Sequence, residues 1–332
     1  MNIDEAIQLF EQNNAISIKD FNSNRLQCLK NKQFLDQYIG EDIFEKNIEC
    51  WLDNFKEKDV FLKLLPNYIY VPEMIYGIQL DAILSRIEEK CNMGHKILEE
   101  TYFITFPSKR GIKSGGDIIR ALLPIGNLDC VKKEQLIVEV EKNKDSISKA
   151  KCIVFIDDVI GSGKTAKENI CNFFKMDDID LNGKKLFLVA MYAEETVKRE
   201  LEKEFNGFEH ELEVIVLYEC KKCLSENYIF SKAEMEVSKS IIIRAEEEVA
   251  GKKVGEKKSY ALGFENSQLL LSFFYNTPNN TLCIFWKPTK INFPLFTRSS
   301  FRRPSIEEIK LNRAIKRKNA YEMAKIDRTE RQ

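Results

Sequence analysis

Cys152-Ile153-Val154-Phe155-Ile156-Asp157-Asp158-Val159-Ile160-Gly161-Ser162-Gly163-Lys164-Thr165 is the stretch on which the fold turns. The apolar run Cys152 to Ile156 has the length and composition of a strand buried on both faces. Two adjacent carboxylates end it. A glycine-bearing turn then opens a helix that reaches about Met176. In open α/β folds the carboxyl edge of the sheet is where ligands sit. The turn would set backbone N–H groups and the Ser162 and Thr165 hydroxyls at a helix N-terminus, which suits a phosphate. The paired carboxylates can accept hydrogen bonds from sugar hydroxyls, or order the water shell of a magnesium ion.

The rhythm continues on both sides. Tyr102 to Phe106 is a short β-rich run ended by Pro107. Leu186 to Met191 and Leu212 to Leu217 repeat the buried-strand pattern, with a helix over Glu194–Phe205 between them. Strand, helix, strand, helix, strand at this spacing predicts a parallel sheet flanked by helices. Upstream, Ile43, Phe44, Ile48, Trp51, Leu52 and Phe55 form the stripe of an amphipathic helix. A further helix is expected from Met74 to Leu98, and Lys132 to Lys144 is helix-prone. After about residue 225 the rhythm stops. Glu234 to Ala250 reads as a helix, while Leu269 to Tyr275 and Leu282 to Trp286 read as strands around a turn.

Composition narrows the function classes. The chain has 332 residues and a formal net charge of −1, with 44% apolar and 31% charged residues. That excludes a disordered chain and a generally basic nucleic-acid coat. No apolar run has membrane-spanning length. The N-terminus lacks the pattern of a secretory signal, so a cytoplasmic chain without a membrane partner is expected. Nine scattered cysteines then read as reduced thiols. Cys220-Lys221-Lys222-Cys223 has no second pair to complete a zinc site, and reads as two residues at a strand end. The neutral total hides a basic end: from Arg298 onward eleven lysines and arginines face five acids.

Two phosphate-binding readings compete for the turn, beside an ordinary strand-turn-helix. A Walker A loop needs a glycine five residues before Gly163-Lys164-Thr165, and that position is Asp158. The other is a resemblance. Asp157-Asp158-Val159-Ile160-x-Ser162-Gly163-x-Thr165 resembles the phosphoribosyl-pyrophosphate (PRPP) signature of type I phosphoribosyltransferases. The resemblance implies that Asp157 and Asp158 are the catalytic pair, meeting the ribose hydroxyls and, indirectly, Mg2+. It implies that Gly161, Ser162, Gly163, Lys164 and Thr165 hold the 5′-phosphate. A second loop, after the first core strand, would take the pyrophosphate. Lys109, Arg110, Lys113, Ser114 and Gly115 stand there, and Lys113-Ser114-Gly115 is the preferred segment. One departure matters. The 6-oxopurine salvage enzymes carry an aspartate general base at the position of Gly161, and glycine cannot move a proton. Ordinary hypoxanthine or guanine salvage is therefore not expected.

The flanks point to a narrower group. Trp51-Leu52-Asp53-Asn54-Phe55, the Lys113-Ser114-Gly115 loop, the acidic stretch and Asn276-Thr277-Pro278-Asn279-Asn280-Thr281-Leu282-Cys283-Ile284-Phe285-Trp286 occur in that order. Together they resemble the phosphoribosyltransferase-like effectors of bacterial conflict systems, PRTase-CE. The resemblance runs from about residue 40 to Arg298. It implies a type I phosphoribosyltransferase-like α/β fold. The pattern along the chain divides it into a helical N-terminal region (1–98), the core (99–225), a C-terminal α+β cap (226–304) and a basic helical tail (305–332). The resemblance also implies an anti-phage role, in some cases beside a retron, with PRPP or a nucleotide as ligand. Partner proteins of the defence system are implied too, and the basic tail offers a nucleic-acid contact or a solvated helix face. Asn279 and Asn280 can read a base or sugar edge, or bond their own turn. Arg298 is a candidate for a phosphate.

Overall fold

The computed structural model describes residues 1–14, 41–91, 96–106, 115–125, 131–176, 178–206, 210–296 and 298. Its strands are β1 (Ile69–Val71), β2 (Thr101–Thr105), β3 (Leu136–Ile137), β4 (Cys152–Ile160), β5 (Lys185–Glu194), β6 (Leu212–Cys220) and β7 (Leu271–Phe273). β2 to β6 form one parallel sheet in the order β3-β2-β4-β5-β6. The helices are α1 (Ile3–Asn14), α2 (Glu41–Leu52), α3 (Lys58–Leu62), α4 (Glu73–Cys91), α5 (Lys96–Glu99), α6 (Gly115–Leu122), α7 (Lys144–Lys149), α8 (Lys164–Phe174), α9 (Glu195–Phe205) and α10 (Lys232–Ala250). A central parallel sheet flanked by helices is the expected class.

Both faces of the sheet are covered, which is why its central strands are apolar without interruption. On one face Val154, Ile156, Val189 and Met191 pack with Leu80, Ile83, Leu84 and Ile87 of α4. On the other, Ile153, Phe155, Leu186 and Leu188 pack with Ile170 and Phe173 of α8 and Leu201 and Phe205 of α9. A third core joins the two ends of the chain. Phe10, Ile48 and Trp51 share it with Ile242 and Val249 of α10 and with Leu282 to Trp286. The short parallel pair β1–β7 fastens this unit, with Tyr70 opposite Ser272. α4 follows β1 directly, so the pairing aims that helix at the sheet.

Three stretches differ from the sequence reading. Lys132 to Lys144 is not one helix; β3 lies within it, flanked by 3-10 turns at Lys133–Gln135 and Val140–Lys142. Gln135 Nε2 donates to the carbonyls of Leu98 and Thr101, each at 2.6 Å, and lays the chain along β2. Tertiary anchoring overrides helix propensity there. Leu282 to Trp286 holds a 3-10 turn, Cys283–Phe285, in place of a strand. The consecutive N–H groups of Cys283 and Ile284 both donate to the Glu246 carboxylate, at 3.0 and 2.9 Å. A strand would point them in opposite directions. Finally, β4 does not stop at Ile156. It runs through the acidic pair, with Asp157 opposite Ala190 and Ile160 opposite Ala193.

Candidate functional site

The sheet order creates the crevice. The chain leaves β2 outward to β3, then returns to the other side of β2 as β4. The carboxyl ends of β2 and β4 therefore flank a topological switch point, where open α/β sheets bind ligands. β4 brings Asp157 and Asp158 to this edge. From the β2 side, α6 begins at Gly115, whose backbone lies so close to Asp158 that a Cβ would overlap the carboxylate. Arg120 Nη1 donates to Thr105 Oγ1 at 2.7 Å and ties α6 to the end of β2. The start of α6 and the acidic pair thus meet at Gly115. Lys109, Arg110, Lys113 and Ser114 lie outside the described residues.

Asp158 is 4% exposed and Asp157 half-buried. The Asp158 N–H donates to Asp157 Oδ1 at 3.0 Å, and the Tyr275 hydroxyl donates to Asp158 Oδ2. Burial, and then the charge of its neighbour, pushes the Asp157 carboxyl well above the usual range. Burial pushes Asp158 up as well, and the Tyr275 hydrogen bond pulls it back in part. Among the described residues neither carboxylate is in an ion pair. Adjacent hard oxygen donors without a countercharge suit a divalent cation. Asp157 and Asp158 are the residues here that could hold such an ion, directly or through its waters.

The turn after β4 is built for close approach. Gly163 caps α8 with φ +69°, a left-handed value glycine adopts freely. Gly161 needs to be glycine for another reason: a Cβ there would overlap the carboxamide of Asn280. Ser162 is half-buried, and Lys164 and Thr165 are exposed at the start of α8. Lys164 Nζ pairs with Glu265 Oε1 at 3.1 Å. Glu265, like Asn280, belongs to a C-terminal segment that covers this turn.

That segment carries strain. Leu262, Glu265, Asn266 and Gln268 all have positive φ, between 51° and 61°. Such residues cost about 1–3 kcal/mol each and persist only where surrounding contacts enforce them. Here Glu246 accepts from the Leu262 N–H at 2.7 Å, and Gln268 Oε1 accepts from the Leu224 N–H at 3.2 Å. The Asn279 carbonyl accepts from the Phe264 N–H at 2.8 Å, and the Asn280 carbonyl from the Leu269 N–H at 3.1 Å. So Asn280 faces the turn between β4 and α8, while the Asn279 carbonyl braces the covering segment. Arg298 Nη1 donates to the Thr277 carbonyl at 2.6 Å, and its guanidinium lies over the Trp286 ring. It fastens the turn from behind.

Four residues here escaped the sequence reading: Tyr275, Tyr76, Gln79 and Tyr192. Tyr76 and Gln79 sit on the stripe of α4 that faces the sheet, 0% and 3% exposed. Gln79 Nε2 donates to the Tyr192 hydroxyl at 2.7 Å, but among the described residues Gln79 Oε1 and the Tyr76 hydroxyl have no well-formed hydrogen bond. A buried polar atom left so costs about 1–3 kcal/mol. Burial, then the charges of Asp158 and Asp157, push the Tyr76 hydroxyl well above the usual phenol range, and the Tyr275 hydroxyl pulls it back in part. The Tyr76 ring lies edge-on to Tyr275, which holds Asp158. Of the four, Tyr275 alone carried a signal that could have found it, since it directly precedes the Asn276–Leu282 stretch.

A family model described as PRTase-CE matches residues 48–298, from within α2 to the guanidinium that fastens the C-terminal turn. The chain belongs to the PRTase-CE family. Its phosphoribosyltransferase-like character follows from that membership. Neither curated proteins nor solved structures give a match. The PRTase-CE match reaches all three cores, though Phe10 of the third precedes it, and includes the C-terminal segment that closes over the turn. Among the described residues no helix is long and apolar enough to cross a membrane. No group of three or more His, Cys, Asp or Glu is gathered there to hold a metal. Cys220 and Cys223 are divided between two cores, the first on the sheet and the second with α10.

Proposed function

We propose that this PRTase-CE chain binds PRPP or a nucleotide 5′-phosphate with magnesium, as an effector of a bacterial anti-phage system. The observation that carries this reading is the meeting of three parts at one switch point: the acidic pair on β4, the glycine turn opening α8, and Gly115 at the start of α6. Asp157 and Asp158 would take the ribose hydroxyls and hold magnesium. The α8 amides, with Ser162 and Thr165, would take the 5′-phosphate. Lys113, with Lys109 and Arg110, would meet pyrophosphate. Bound magnesium would neutralise charge on the departing phosphates. The reaction such a site suits is displacement at ribose C1′. The C1′–O bond breaks, pyrophosphate leaves with the electron pair, and a nucleophile adds to the oxocarbenium-like carbon. The protein's part is to position the sugar and stabilise charge.

A second reading is a nucleotide sensor without turnover. It is favoured by the turn itself, where Gly161 offers no proton-moving group and a carboxamide, Asn280, fills the space. Calorimetry with PRPP and common nucleotides, beside a product assay, separates the two. Binding that Asp157→Asn with Asp158→Asn abolishes supports the site. Product formed from PRPP supports the enzyme, and binding without product supports the sensor. Unchanged phage protection by the double variant overturns the reading of this site as the effector's working centre.

A further inference from the structure

Resting on the sugar-phosphate reading, the contacts at Asp158 say more about how that site is regulated and completed. An ionised carboxylate only accepts hydrogen bonds. Asp158 already accepts from the Tyr275 hydroxyl, and the backbone of Gly115 lies against the same group. A ribose hydroxyl that approaches Oδ2 would meet the Tyr275 hydroxyl already there.

Tyr275 is carried on a reverse turn. Phe273 and Asn276 exchange backbone hydrogen bonds, at 2.9 and 3.2 Å, directly after β7. The ring packs on Phe273 and edge-on to Tyr76, with centroids 5.7 and 6.0 Å apart. The same C-terminal segment places Asn280 against Gly161 and Glu265 on Lys164. Sugar and phosphate positions are thus covered together, by a segment whose backbone is strained between Leu262 and Gln268. Behind Tyr275 stands Tyr76, fully buried, its hydroxyl facing that of Tyr275 and without another partner among the described residues.

We propose that Tyr275 closes the site by holding Asp158 where a ribose hydroxyl binds, and that its withdrawal gives the ligand both Asp158 and the Tyr76 hydroxyl. Tyr275 is then the group a ligand displaces, and Tyr76 a ligand-binding residue.

Two hydroxyl deletions, Tyr275→Phe and Tyr76→Phe, test this while keeping both rings in place. The full-length proteins are titrated with PRPP and Mg2+ by calorimetry. Hydrogen exchange over 271–280 is followed without ligand. Tyr275→Phe should bind PRPP at least tenfold more tightly than wild type and exchange faster over 271–280. Tyr76→Phe should bind at least fivefold more weakly. Equal or weaker binding by Tyr275→Phe, with wild type binding PRPP, overturns the closure and leaves the sugar-phosphate reading standing. Unchanged binding by Tyr76→Phe overturns the role of Tyr76. If no protein binds PRPP yet exchange rises in Tyr275→Phe, PRPP as the ligand and the ribose role of Asp158 fall, and only the hold of Tyr275 on its segment stands. If exchange is unchanged as well, that hold falls too.

Discussion

Asn280 fills the space that a side chain on Gly161 would need. Gly161 is not held in a left-handed conformation, unlike Gly163, so the requirement is one of room alone. A side chain as large as aspartate has no room there while the carboxamide of a distant segment occupies the space. Gly161→Ala should therefore destabilise by about 1–3 kcal/mol, the range for overpacking a closed contact. In an Asn280→Gly background the same change should cost under about 1 kcal/mol. Alanine at 280 would not give this relief, because the Asn280 Cβ itself would lie 2.7 Å from the new one. Urea denaturation of the four proteins measures the coupling. Additive losses would mean the two residues do not meet.

Glu246 makes stability depend on pH. It is buried in α10 and accepts from the N–H groups of Leu262, Cys283 and Ile284. Burial raises its carboxyl to about 7, against 4.5 for an unperturbed glutamate, although the three N–H donors pull the other way. Between those values the native protein keeps a proton that the unfolded chain has released. Stability from this group therefore falls as pH rises through the window, by about 3 kcal/mol in all. Glu246→Gln removes the titration but turns an amide N–H₂ toward backbone donors, at about 1–3 kcal/mol. At pH 5 the variant should be the less stable protein, and the gap should close or reverse by about pH 8. A gap constant with pH would refute the assignment.

The sheet was legible because its signal is local. Cys152 to Ile156 and Leu186 to Met191 are buried on both faces and read as strands without help. The acidic pair and its turn were legible because one β-α unit carries them. What stayed hidden depends on residues far apart in the chain. Nothing near Trp51 says that it packs on Phe285, and nothing in α4 marks Tyr76 as the residue against Tyr275. Leu282 to Trp286 has strand composition, yet Glu246, more than thirty residues earlier, bends it into a turn. The division at residues 98 and 226 followed composition, whereas the third core unites Phe10 and Trp51 with Val249 and Trp286.

Lys164 and Glu265 make an exposed pair, so their contact adds little to the fold. Glu265→Gln should change stability by under about 1 kcal/mol. Its effect on a phosphate-bearing ligand should be larger, because it removes a negative charge beside the turn that opens α8. About fivefold tighter binding of PRPP is expected at low salt, shrinking as ionic strength rises. Lys164→Ala should weaken binding with the same salt dependence. Calorimetry at two salt concentrations measures both, and a Glu265→Gln affinity equal to wild type at low salt would place the phosphate elsewhere.

Trp51 links the ends of the chain, and its replacement should be felt at both. It is fully buried, stacked on Phe285 with centroids 4.8 Å apart, and its Nε1 donates to the Ile284 carbonyl at 3.1 Å. That carbonyl also accepts from Asn292 Nδ2 at 3.0 Å, so Trp51→Phe leaves no buried acceptor orphaned. We therefore expect Trp51→Phe to cost about 1–2 kcal/mol, from packing alone, and Trp51→Ala about 3–5 kcal/mol, from the cavity. The chain has two tryptophans, so in either variant fluorescence reports Trp286 alone, on the C-terminal side of the shared core. Its urea midpoint should fall together with the midpoint read by circular dichroism, because the N-terminal helices and the C-terminal segment unfold as one unit. A Trp286 midpoint that stays at its wild-type value would mean that the ends of the chain hold separate cores.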